Sequence, residues 1–123
     1  MIYNSLKMSN KSYPIPHNEI SRLKALQEYK VMDTLPEQAY DNFTKLAALI
    51  CSTPIALITL LDEERQWFKS RVGLERSEIP REAAICNYTI MMPDNIMVIN
   101  DAIHDPRFVN NPLVASEPNI RFY

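Results

Sequence analysis

The sequence contains a single glycine, Gly73, against nine prolines in 123 residues. Ordinary proteins use about 7% glycine. Glycine-rich loops that cradle phosphates are therefore absent, which excludes P-loop and Rossmann chemistry from these residues. Sheets commonly place glycine at hairpins, so the shortage also predicts that part of a domain, with its glycine turns, lies outside this sequence. No apolar run approaches the roughly 18 residues of a membrane span. The opening MIYNSLKMSNKSYPIPHNE has no apolar signal core, and a cytoplasmic location is the expectation. A basic excess is missing too. Thirteen Lys+Arg stand against fifteen Asp+Glu, for a net charge of -2, so no phosphate-tracking nucleic-acid surface is expected. Cys51 and Cys86 have no CxxC spacing, and with His17 and His104 they form no zinc pattern. No metal or cofactor is expected, and both thiols are predicted to be buried in a reducing compartment.

What is present is the composition of a globular domain, 46% hydrophobic and 23% charged. The length suits one domain. Residues 1–17 read as a flexible lead, with Pro14 and Pro16 favouring extended backbone. A helix is predicted over about 19–31, with Asn18 as its N-cap. Its narrow stripe of Ile20, Leu23 and Leu26 suits packing on the domain or pairing with a second copy. A stronger helix is predicted at about 35–51. Thr34 and Glu37 match a capping box, and Pro36 falls in the tolerated first turn. Tyr40, Phe43, Leu46, Ala47 and Ile50 share its apolar face.

Residues 55–61 are apolar on both alternating faces, which predicts a strand inside a sheet. Asp62 to Arg65 form a polar turn, and 66–72 follow as the second strand of a hairpin. Trp67, Lys69 and Arg71 make one polar face there, which suits a strand nearer the edge or with one face wet. Residues 77–92 read as a helix or two short turns, 96–100 as a short buried strand, and Asp105 as a cap before Pro106. The rest, with Pro112 and Pro118, reads as loop.

The stretch LQEYKVMDTLPEQAYDNFTKLAALICSTPIALITLLDEERQWFKSRVGL, then IPRE, CNYTI, VINDAIHDPRFVNNPLV and NIRFY, resembles GAF domains. The likeness is to those near the N-terminus of bacterial sensor histidine kinases and diguanylate cyclases, and covers about residues 20–123. It implies an α+β fold, an antiparallel sheet flanked by helices. It also implies a non-catalytic role in signal transduction, by small-ligand sensing or dimerisation. In similar domains, the residues matching NIRFY are followed by further strands and a closing helix. The expectation is thus a partial GAF domain over 18–123, lacking those last elements. The alternative is the N-terminal fragment of a kinase or cyclase whose catalytic domain is not in this sequence. The Cys-His dipeptide of bilin-bearing relatives is absent, because Asn87 follows Cys86, and so is the cyclic-nucleotide constellation.

Within that frame, Ile85, Cys86, Tyr88, Ile99 and Phe108 are the candidate ligand pocket, apolar with one phenol, and equally the makings of a core. Ile20, Leu23 and Leu26 are the candidate dimer helix. No catalytic residue is expected. Asp62, Glu63 and Glu64 read as a solvated hairpin tip, and Trp67 with Lys69 and Arg71 as a surface for a neighbouring helix or subunit. Nothing in the spacing of Cys86 and His104 makes them meet. The implied partners are an unknown small molecule and a second copy, with no nucleic acid and no membrane.

Overall fold

The computed structural model describes residues 11–123. The first ten positions of the expected 1–17 lead lie outside the described residues. The fold is α+β as expected: a three-stranded antiparallel sheet accompanied by helices, compatible with a partial GAF-like fold. Two bodies are distinguished, residues 18–81 and residues 82–123, and residues 11–17 group with the second.

In the first body, α1 (Glu19–Tyr29) follows Asn18, which stands at the N-cap without a side-chain cap bond. Instead, Ser21 Oγ donates to the Asn18 carbonyl at 2.9 Å. Lys30, at φ 51°, ends the helix in the left-handed region, and Asp33, at φ 59°, repeats that conformation. α2 (Gln38–Cys51) starts later than the sequence predicts, and the capping box does not form. Thr34 Oγ1 donates to the Val31 carbonyl at 2.6 Å. Glu37 turns its carboxylate to Lys69 at 2.5 Å.

The sheet runs in the order β1 (Ala56–Leu61), β2 (Arg65–Val72), β3 (Glu78–Pro80). Ala56 faces Val72 and Leu61 faces Gln66, with a register shift between Ile58 and Thr59. The expected positions are exchanged. β2, read as the outer strand, is central, and β1, read as interior, is an edge strand. The polar face expected on β2 is wet only at Arg71, which is exposed. Trp67 is buried. The Lys69 side chain is 0% exposed, and its Nζ donates to Thr34 Oγ1 at 2.7 Å and to the Leu35 carbonyl at 2.8 Å. The cation lies 5.1 Å from the Tyr40 ring. Those partners come from the segment leading into α2, a pairing that strand alternation does not reveal.

α2 is also turned the other way. Thr44 is buried, and its hydroxyl meets Ser70 Oγ at 2.8 Å. Phe43 and Ile50, on the apolar face read from the sequence, are 67% and 72% exposed, and Leu46 and Ala47 are exposed beside them. The side of α2 toward the sheet is thus hydroxyl-bonded, and its apolar stripe faces outward. Gly73 closes β2 at φ +80°.

Residues 77–92 do not form one helix. β3 takes Glu78–Pro80, and a 3-10 turn follows at Arg81–Ala83. In the second body, α3 (Cys86–Thr89) is a single turn. A 3-10 turn covers Ala102–His104, and α4 (Pro112–Ala115) forms where loop was expected. Asn111 caps α4, its side chain accepting from the Leu113 amide at 2.9 Å. Residues 96–100 are not a regular strand, but Ile99 and Tyr123 exchange both main-chain hydrogen bonds, at 2.7 and 2.9 Å. The core of this body is Ile85, Met97, Ile99, Ala102, Phe108 and Val114. Fully burying a side chain such as Phe108 or Val114 stabilises by roughly 1.5–3 kcal/mol.

Candidate functional site

The candidate pocket lies wholly in the second body. Ile85, Ile99 and Phe108 are buried members of its core, and Tyr88 packs against that cluster from a half-buried position. The Tyr88 and Phe108 rings meet edge to face, 5.0 Å apart at 79°, a favoured aromatic arrangement. Helical spacing in the sequence joins Ile85 to Tyr88, and apolar character adds Ile99 and Phe108. That reading misses Met97, Ala102 and Val114, which join them across short turns that carry no helical or strand period.

Cys86 belongs to the edge of this cluster. Its Sγ lies 3.0 Å from Tyr123 Oη. Burial, followed by the neighbouring thiol, pushes the Tyr123 phenol well above its ordinary range. A phenol so placed stays protonated near neutrality and serves as a hydrogen-bond donor or acceptor, not as a base. Tyr123 had no place in the sequence-based site. Its only signal was that an aromatic closes NIRFY.

Arg107 covers the aromatic pair from outside. Its guanidinium carbon is 4.8 Å from the Phe108 ring centroid and 5.6 Å from that of Tyr88. Asp105 holds it there through Nε at 3.0 Å and Nη2 at 2.7 Å. The same carboxylate accepts from the Arg107 amide at 2.9 Å, so Asp105 does cap the turn at Pro106. Arg107 holds the Asp105 carboxyl below the usual carboxylate range. This body thus brings together an apolar cluster, the Tyr88 and Tyr123 phenols and one oriented guanidinium.

The remaining candidates separate. His104 Nδ1 pairs with Asp101 at 2.8 Å, while Cys86 pairs with Tyr123, so the two do not form a couple. Cys51 is exposed and Cys86 only half-buried, correcting the expectation of two buried thiols. Their burial was inferred from apolar neighbours in sequence, and α2 turns that side outward. Glu63 and Glu64 are exposed at the hairpin tip, as read. The aromatic under Lys69 is Tyr40, not Trp67. On the candidate dimer helix, Ile20 is 66% exposed, whereas Leu23 and Leu26 are half-buried. Among the described residues, no group of three or more His, Cys, Asp or Glu is placed to hold a metal ion. Among the same residues, no helix is long and apolar enough to cross a membrane.

No family model matches the chain. Over 110 residues, 89% of this chain, it is 36% identical to a cyclic di-GMP phosphodiesterase of Pseudomonas aeruginosa. That match takes in 19% of the relative, so the chain spans about a fifth of the length of the curated relative it resembles.

Proposed function

We propose that this chain is a GAF-type regulatory module of a bacterial cyclic di-GMP signalling protein, without catalysis of its own. The observation that carries this reading is the match, which takes in nearly the whole chain and only a fifth of the phosphodiesterase. A piece so small is sized for one domain of a larger protein. The sequence resemblance to GAF domains gives that domain its kind, and the α+β arrangement is compatible with it. In this reading the second body takes a small, largely apolar ligand against Ile85, Cys86, Tyr88, Ile99 and Phe108. A bound ligand favours one packing of the domain, and α1 passes the change on, by itself or by pairing with a second copy through Ile20, Leu23 and Leu26. The location is cytoplasmic. The alternative parents, a histidine kinase or a diguanylate cyclase, differ in what the module regulates, not in its mode of action.

The test is an isotope-labelled chain with isoleucine methyl probes, titrated with small apolar and aromatic ligands. The expected result is that the Ile85 and Ile99 methyls shift directly, with a smaller shift at Ile20 on α1, while Ile55 stays fixed. The same preparation, incubated with cyclic di-GMP, is expected to leave the cyclic dinucleotide intact. Its conversion to the linear form would overturn the non-catalytic reading.

A further inference from the structure

We propose that α1 is a latched element, held shut by a buried carboxylate at its first turn and hinged at its far end. The latch is Glu19, 4% exposed in its setting. Arg22 grips it with two bonds, Nε to Oε2 at 2.9 Å and Nη2 to Oε1 at 2.8 Å. A third donor of Arg22, Nη1, reaches the carbonyl of Leu61, the last residue of β1. Arg81, itself buried, donates to Glu19 Oε1 from the opposite side. The same nitrogen of Arg81 lies 3.1 Å from the Asp62 carbonyl and 3.4 Å from that of Glu63. One carboxylate therefore gathers two guanidinium groups, and both bond main-chain carbonyls where the β1–β2 hairpin turns.

Beyond this turn α1 is held weakly. Ile20 and Tyr29 are exposed, Leu23 and Leu26 are half-buried, and Lys24–Glu28 is a 4.0 Å surface pair, a kind that contributes little. The chain is fixed again only after the helix. Asp33 takes Arg65 at 2.6 and 2.9 Å, and Thr34 and Leu35 take Lys69. Between helix and anchor stand Lys30 and Asp33, both left-handed at positive φ. Such residues mark a bend, since a side chain disfavours that region by roughly 1–2 kcal/mol. A helix with one polar anchor at its start and a bend at its end opens as a unit when the anchor is lost. The proposal goes beyond the ligand-sensing reading and uses it only for the purpose a movable α1 would serve.

Hydrogen exchange on the full 123-residue chain, without ligand, tests it. In Glu19→Gln, which keeps the shape and removes the charge, amides of residues 22–29 are expected to exchange about tenfold faster or more. Amides of 57–61 and 66–72 are expected to keep their wild-type rates. Equal acceleration of helix and sheet would overturn the latch, because Glu19 would then support the whole fold. Unchanged helix rates would overturn it as well. Should the variant not fold, the wild type decides in increasing, sub-denaturing urea. The latch requires α1 amides to open below the sheet amides, with a smaller urea dependence, and a single common opening refutes it. Ligand binding enters none of these outcomes, so the sensing reading stands or falls separately.

Discussion

Gly73 shows how much one residue decides. It sits at φ +80°, and a Cβ built there would lie 2.0 Å from the Pro54 carbonyl oxygen and 3.2 Å from Ile55 Cγ1. The chain thus spends its single glycine where the end of β2 crosses the entry to β1. Gly73→Ala combines left-handed strain with a backbone clash, and is expected to destabilise by about 2–4 kcal/mol. Urea unfolding followed by circular dichroism would read this as a lowered midpoint at an unchanged slope. Glu19 gives a pH signature of its own. Burial raises its pKa, but the bonds to Arg22 and Arg81 outweigh that and hold it below the ordinary glutamate value of 4.5. A depressed carboxylate favours the closed helix above its pKa in the open state and loses that contribution as pH falls through the lower, closed-state value. The difference in α1 amide exchange between wild type and Glu19→Gln is therefore expected to be full above pH 4.5 and to close below it, as measured by hydrogen exchange at stepped pH. The sequence announced neither residue's partner. A lone glycine signals a turn, but Glu19 and Arg81 meet across a sequence separation that no period spans.

At the level of elements, period was legible and placement was not. The apolar repeat of α2 is real, yet it says only that one face is apolar, never which neighbour covers it. Here the Thr44–Ser70 hydroxyl contact turns that stripe away from the sheet. Likewise, two apolar faces on 55–61 described the chemistry of β1 correctly, and the interior place they imply is one that only the further strands of the resembled fold would give it. Alternation assumes the sheet is complete, and with the order β1-β2-β3 no described strand pairs with the outer edge of β1. The strand carries no charge to discourage further pairing. A chimera that appends the residues following the matched region of the Pseudomonas phosphodiesterase is therefore expected to have a higher thermal midpoint. Protection of the β1 amides as a group should rise with it. An unchanged midpoint with unchanged β1 exchange would show that β1 gains nothing from a further strand.

For the molecule as a whole, the α+β class was readable, and so was the clustering of Ile85, Tyr88, Ile99 and Phe108 in one core, because both follow from local apolar pattern. The division into two bodies was not readable, since no linker composition marks position 81. That division has a consequence in time. Residues 18–81 form one uninterrupted stretch, whose hairpin closes over a three-residue turn. The other body draws on residues 11–17 as well as 82–123. Its two parts meet only after everything between them has been made, and that closure is entropically slower than a hairpin. As the chain leaves the ribosome, the sheet body can assemble while the aromatic cluster around Phe108 is still being synthesised. The part that would hold a ligand is thus assembled later than the sheet body.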